Sequence, residues 1–358
     1  MIITGVTAKK VEVPLAKPFT VSLGTITSSE IVYLKLYTDC GLCGYGEGAG
    51  VTFVTGETSD TVLGAIKLFE PILIGQDPYA IEHIHSAMDV TLVGNGAAKA
   101  AVDIALYDLT SKAAGLPLFR FLGGVDGRIE TDITVGINEP EVMAAEAALR
   151  VSEGFREIKV KAGAGPDRDI HSIRLIRAAA PSAHLKVDAN QGWTVANALR
   201  VMREYEKVGV EAVEQPVPYW DVAGLREIRS RANIPVMADE SCFTPKDALR
   251  IASSGAADML NIKLMKCGGL YRANQITTIA EAAGLRCMLG CMIESKLSIA
   301  AAAALKSARP NIIYADLDGF HEFNDSGIIK NAFSYDTPML TLSERPGLGV
   351  ELEDSLFC

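Results

Sequence analysis

Residues 158–163 read Ile-Lys-Val-Lys-Ala-Gly, and what two lysines do on one short apolar strand decides the fold. Side chains alternate faces along a strand, so Lys159 and Lys161 point one way and Val160 the other. An isolated Lys-x-Lys is the mark of a solvated edge strand. The residues downstream argue against that. Counting on from Lys161, an ionisable residue ends an apolar run at Asp188, Glu214, Asp239 and Lys263, in steps of 27, 26, 25 and 24 residues. Each step has the length of about one strand plus one helix.

The runs themselves are DITVGI (132–137), EIKVKAG (157–163), LKVDAN (185–190), VEAVEQP (210–216), IPVMADE (234–240), DMLNIKL (258–264), RCMLGCMIE (286–294) and IIYADLDG (312–319). Seven segments of helical texture separate these eight strand candidates. The pattern predicts an α/β fold, a modified TIM barrel of (β/α)7β type without the last helix. An open doubly wound sheet is the other arrangement, but no Gly-x-Gly-x-x-Gly opens a helix after any of these strands.

Upstream the texture differs. The first residues, MIITGVTAKKVEVPL, alternate like a strand, as do Ile31–Tyr37; the Gly-rich DCGLCGYGEGAG (39–50) reads as a turn, and helical patterns run from about Asp60 to Ala114. The strongest helix, residues 97–115, places Ala101, Ile104, Ala105 and Leu109 on one face and stops at Gly115 ahead of Pro117. This predicts an α+β capping domain over residues 1–125, the barrel over 126–326, and a C-terminal segment, 327–358, packing back on the capping domain.

The chain has 358 residues, 49% of them apolar, enough for about two domains with sizeable cores. Its formal net charge of −10 disfavours nucleic acid and anionic membranes as partners, because both reward a basic face. Seven cysteines, an odd number dispersed over a long chain, read as reduced thiols; Cys40-Gly-Leu-Cys43 lacks a second ligand pair for zinc and reads as a hairpin turn. No secretory signal opens the sequence, and the apolar run Leu297–Leu305 is too short to span a bilayer. A cytoplasmic location is the expectation.

In a barrel of this type the strand ends converge on one mouth. Three carboxylates crowded there repel one another and are costly to desolvate, and a hard divalent cation removes both problems. Asp188, Glu214 and Asp239 offer oxygen ligands only, which suits Mg²⁺ or Mn²⁺ better than Zn²⁺.

The motifs KVKAG (159–163), VDANQGW (187–193), VEQP (213–216), ADES (238–241) and NIKLMKCGG (261–269), in this order, resemble the muconate-lactonizing subgroup of the enolase superfamily. The resemblance extends over nearly the whole chain, including ALYDLTSKAAGLPL (105–118). It implies Asp188, Glu214 and Asp239 as metal ligands and Lys161 with Lys263 as an acid/base pair. The chemistry suits the residues. A proton α to a carboxylate is very weakly acidic, and a metal on that carboxylate neutralises the developing enediolate. The base must be a free amine, a form favoured by burial, by a metal and by a neighbouring ammonium such as Lys159, which is also expected to bind substrate by helping to neutralise its carboxylate. Strands two and six of the barrel face one another across it, so two lysines on two faces make inversion of configuration the implied outcome. Mandelate-racemase-type members use a histidine on the second face; His83, His85, His171, His184 and His321 all lie away from strand ends.

Asp316-Leu317-Asp318 puts two acids on one face at the mouth, an arrangement that asks for a cation. Together with CMIES (291–295, containing Met292 and Glu294) and KPFTVSLGT (17–25), it resembles dipeptide epimerases, such as those acting on Ala-Glu. That resemblance implies that Asp316 and Asp318 hold the substrate's ammonium, that Thr134 touches substrate, and that Phe19, Val51 and Phe53 belong to a lid. Ala-Glu-specific members carry an arginine where this chain has Gly24, so an uncharged or hydrophobic second residue is expected here. The expected partner is thus a small-molecule dipeptide, with a homo-oligomer expected. A muconate cycloisomerase or o-succinylbenzoate synthase would share the metal and the lysines without needing the two aspartates, and a non-catalytic metal- or ligand-binding barrel would need neither.

Overall fold

The computed structural model describes residues 1–323 and 327–357; Cys358 lies outside the described residues. The chain opens with an antiparallel sheet of strands β1 (Ile3–Val21), β2 (Gly24–Thr38) and β3 (Cys43–Gly48), followed by helices α1 (Ser59–Leu73), α2 (Ile81–Thr91) and α3 (Gly96–Ala113). The Gly-rich stretch expected to be a turn is one only over residues 39–42; its second half is β3, paired with β2 from Tyr37↔Cys43 to Val32↔Gly48. Its glycines serve packing. A Cβ on Gly44 would stand 2.1 Å from the Ala105 carbonyl oxygen, and one on Gly46 would stand 1.9 Å from that of Ala101. The alanine face of α3 therefore lies directly on the strand backbone, closer than any side chain permits.

The barrel follows: β4 (Ile133–Val135), β5 (Glu157–Lys161), β6 (His184–Asp188), β7 (Val210–Glu214), β8 (Val236–Ala238), β9 (Met259–Ile262), β10 (Arg286–Gly290) and β11 (Ile312–Asp316). Neighbours in sequence are neighbours in the sheet, every pair parallel. The Asp132 amide donates to the Ala315 carbonyl at 3.0 Å and brings the last strand round to the first. Helices α4 (Pro140–Ser152), α5 (Pro166–Ala179), α6 (Val195–Lys207), α7 (Val222–Arg231), α8 (Pro245–Ser254), α9 (Leu270–Ala282) and α10 (Lys296–Ala308) fill the seven connections, and directly after β11 a short 3₁₀ turn, Gly319–Glu322, stands in place of an eighth helix. This is the (β/α)7β pattern. Caps fix several helix starts: Thr194, Asp221, Thr244 and Ser295 each accept a hydrogen bond from a first-turn amide.

Two connections position the site. The β1–β2 hairpin extends over the barrel mouth, where the Ile137 amide donates to the Thr20 carbonyl at 3.0 Å and Ser22 Oγ to the Asn190 carbonyl at 2.7 Å. The C-terminal strands Phe333–Asp336 and Met339–Leu342 pair with each other, and the second pairs with the linker strand Arg128–Glu130, while the Leu348 amide donates to Asp108 of α3 at 2.8 Å.

Candidate active site at the barrel mouth

Ladder register builds the site. Lys161, Asp188 and Glu214 are successive rungs of β5, β6 and β7, and Asp239 follows β8 by one residue. Adjacent strands lie about 4.8 Å apart, so carboxylates on successive rungs must be near neighbours. One oxygen from each of Asp188, Glu214 and Asp239 lies within 4.8 Å of the others. All three residues are buried, as are Lys159, Lys161, Lys263, Thr134, Asp316 and Asp318.

The lysines act as counter-ions. Lys159 Nζ stands 2.7 Å from Asp316, 2.8 Å from Glu214 and 3.2 Å from Asp188. Lys161 Nζ is 2.7 Å from Asp188 Oδ2, and Lys263 Nζ is 2.8 Å from Asp239 Oδ2. Burial opposes the charge on Lys159, but Asp316, Glu214, Asp188 and Asp239 outweigh it and hold its ammonium well above the ordinary lysine value. Its charge is therefore spent on carboxylates, where the sequence had placed it as an influence on a neighbouring amine. Lys263 is likewise held up, with Asp239 overcoming burial. The free amine expected of a base is not favoured at Lys263 while Asp239 is its partner.

Among the acids, burial alone would raise Asp188, yet Lys161 and Lys159 bring it down to about 2. Asp239 is lowered further by Lys263 and Lys266 against the same burial. Glu214 goes the other way, to about 8, through burial and then the charge on Asp188. Three buried carboxylates, two of them stabilised as anions and all presenting oxygen only, fit a hard divalent ion. The raised Glu214 carboxyl reflects the crowding of three acids in one buried group.

Beside the acids, Phe19, Val21, Leu23 and Ile26 of the hairpin, Val51, Phe53 and Val54 of the following loop, and Met292 and Ile293 line a cavity whose polar wall holds Thr134, Lys161, Asn190, Lys263, Asp316, Asp318 and Glu322. Asp318 accepts from the Thr134 amide at 2.7 Å and is raised to about 6 by burial and Asp316. No described histidine lines this cavity. Gly24 stands behind Phe53, where a Cβ would meet the ring at 3.6 Å. Glu294 is turned away: its carboxylate accepts from the Met292 amide at 2.7 Å and from Ser298 Oγ, and it is not part of the lining.

Family models for the mandelate racemase / muconate lactonizing enzyme N-terminal domain and the enolase C-terminal domain-like fold match residues 3–123 and 142–356. The chain belongs to the mandelate racemase / muconate lactonizing enzyme family. Within this family it is 43% identical to a hydrophobic dipeptide epimerase from Enterococcus faecalis, over 95% of this chain and 96% of that one. It is 42% identical to an L-Ala-D/L-Glu epimerase from Clostridium acetobutylicum, covering 98% and 99%. The Enterococcus faecalis dipeptide epimerase solved with Mg and L-Leu-L-Tyr superposes with a TM-score of 0.96, covering 98% of this chain and 100% of that one. Mg²⁺ is thus the ion that the acid triad of this mandelate racemase / muconate lactonizing family member fits.

Sequence reasoning passed over Lys266. Its buried Nζ donates to Asp239 Oδ1 at 2.5 Å and to the carbonyls of Asp239, Asn261 and Cys242 at 2.6, 3.0 and 3.1 Å. It fixes one oxygen of Asp239 and leaves the other toward Lys263 and the triad. Asn261 does the same for Glu214, donating to Oε1 at 2.7 Å. Both stand in NIKLMKCGG, the motif that also carries Lys263. Among the described residues no helix is long and apolar enough to cross a membrane.

Proposed function

We propose that the protein is a Mg²⁺-dependent dipeptide epimerase that inverts the α-carbon of the C-terminal residue by 1,1-proton transfer. The observation that supports this is that Lys161, from the second barrel strand, and Lys263, after the sixth, line one cavity together with Asp316, Asp318 and Glu322. Held by Asp188, Glu214 and Asp239, the ion supplies positive charge where the substrate carboxylate becomes more negative. Lys161 Nζ takes or returns the α-proton on one face and Lys263 Nζ on the other, so the epimer that enters decides which acts as base. Asp316 and Asp318 take the substrate's ammonium, for which it competes with Lys159 at Asp316. Thr134 and Met292 bound the substrate between them.

The apolar lining from Phe19 to Phe53, with no cation at Gly24, supports a second residue without charge. The fold divides into a lid domain over residues 1–125, the catalytic barrel over 126–326 and a closing segment from 327. The enzyme is a cytoplasmic homo-oligomer; Val90 and Val93, 89% and 87% exposed, are apolar surface that assembly would cover. Light scattering on the eluted protein measures that assembly.

The test is a dipeptide library incubated in deuterated water with Mg²⁺ and read by mass spectrometry. One deuterium enters the C-terminal residue of preferred dipeptides, and chiral chromatography shows both epimers. Absence of exchange in every member would sink the proposal. Undiminished turnover in Asp316→Asn on a substrate without an amine would transfer it to the cycloisomerase reading.

A further inference from the structure

Glu322 lies beyond the residues so far given a role. It ends the 3₁₀ turn Gly319–Glu322 that begins one residue after Asp318, it is 7% exposed, and it lines the same cavity as Asp316 and Asp318. Its Oε2 is buried without a hydrogen-bond partner among the described residues. The cations whose charge reaches it, Lys17 and Arg150, are committed elsewhere: Lys17 Nζ is 2.5 Å from Glu146, and Arg150 bonds Glu146 and Glu153 at 3.3 and 3.0 Å. Burial, then the charge on Asp318, push the Glu322 carboxyl up to about 7, against the weaker pull of Lys17 and Arg150. A buried carboxylate oxygen is costly to leave unpaired, and a donor brought by a ligand removes that cost.

We infer that Glu322 is a specificity-determining residue that receives the side chain of the dipeptide's first residue, and that the enzyme prefers a first residue ending in a positively charged hydrogen-bond donor. This rests on the proposed function, which anchors the first residue's ammonium on Asp316 and Asp318. From that anchor the first residue's side chain leaves toward Gly319 and Glu322, on the acidic wall, while the second residue's side chain meets the apolar lining. The cavity is then divided by chemistry: a cation and its stem on one side, an apolar group on the other.

The test compares pairs of dipeptides that differ only in the terminal group of the first residue. Lysyl-leucine is set against norleucyl-leucine, with ornithine and diaminobutyrate forms covering shorter reach. The expected kcat/KM ratio in favour of the ammonium form is about 10- to 100-fold for at least one length, the scale of a hydrogen bond to a charged group. In Glu322→Leu, and to a lesser degree in Glu322→Gln, that ratio falls to one or below. A purely structural role would lower both substrates together and leave the ratio intact, which would overturn the inference. Should neither variant fold, a ratio near one in the unmodified protein at all three lengths overturns it equally. Failure here is distinct from failure of the proposed function: equal deuterium exchange into lysyl- and norleucyl-leucine removes only the role of Glu322, whereas no exchange into any dipeptide removes the activity.

Discussion

Lys159 and Lys186 sit side by side in the barrel ladder, both buried and both inward, yet they serve opposite ends of the barrel. Lys186 turns toward the strand starts, where it meets Asp132 at 2.9 Å and Glu157 at 2.6 Å and lies 4.3 Å from the centre of the Tyr314 ring. Lys159 turns toward the strand ends and the acid triad. The lower group closes its own charge balance. Burial, against the pull of Lys186, pushes the Asp132 carboxyl well above its ordinary range, which favours its neutral form and leaves the charge of Lys186 to Glu157. The upper group does not close. Lys159, Lys161, Lys263 and Lys266 face Asp188, Glu214, Asp239, Glu240, Asp316 and Asp318, all of them buried. Four ammonium groups against six carboxylates leave an excess of two negative charges, and Glu214 and Glu240, raised to about 8 and about 7 by burial and neighbouring acids, feel that excess. A buried cluster that balances itself fills space; one left anionic suits cations that arrive, here a divalent ion and, in the function proposed above, an ammonium.

The sharpest way to break this comparison is at the two amines that face the cavity. Replacing Lys161 or Lys263 by Ala is expected to reduce inversion by about 10²- to 10⁴-fold, the range of a lost general acid or base. The loss should be lopsided. Each variant keeps one amine, which still removes and returns a proton on its own face, so deuterium enters one epimer without inversion. Following exchange by NMR from each pure epimer checks this, and equal retention of inversion in both variants would contradict it.

How far these features were legible varies residue by residue. The strand-end acids and lysines were, because a period of two on each strand and a step of about 25 residues between strands leave them only one place to meet. Lys186 obeyed the same parity as Asp188 and could have been placed inside the barrel, but which way its long side chain turns depends on Glu157 on the adjacent strand and Asp132 beside the one beyond. The glycines of β3 looked like turn residues because their cause is a helix lying on them, a tertiary contact with no local signature. Glu294 carried the look of a ligand-facing acid, yet the Met292 amide and Ser298 beside it in the chain were nearer partners. Lys266 carried no local mark, because the Asp239 and Cys242 oxygens it meets belong to the preceding barrel unit.

Lys266→Met removes a cation from the upper group without touching the cavity. If its task is to orient Asp239, Mg²⁺ affinity measured by calorimetry falls about 10- to 100-fold, as is usual when the partner of a ligand is lost. The comparison makes the opposite outcome informative, since deleting a positive charge beside the triad would tighten Mg²⁺ binding if charge alone governed the site. Tighter binding would assign Lys266 to charge balance and not to geometry.

At the lower group the same substitution tests stability. Lys186→Met strands no permanent charge: Asp132 takes a proton, and Glu157, 27% exposed, turns to water. The expected loss is therefore about 1–3 kcal/mol for unpaired polar groups, short of the roughly 3–5 kcal/mol of an abandoned buried charge. Urea unfolding measures it, and Mg²⁺ affinity is expected to be unaltered.

Combining Lys186→Met with Asp132→Leu should have the smallest effect, because an apolar pair of similar volume replaces the buried ion pair outright and leaves neither partner unsatisfied. Stability is expected to return to within about 1 kcal/mol of the unmodified protein, with proton exchange intact. Asp132 also lies within 4.8 Å of Asp316 and Asp318, so the double variant asks whether the two groups are separable at their point of contact. If deuterium exchange falls while stability recovers, the lower group contributes to holding Asp316 and Asp318 toward the substrate, and the barrel interior is one continuous electrostatic unit instead of two.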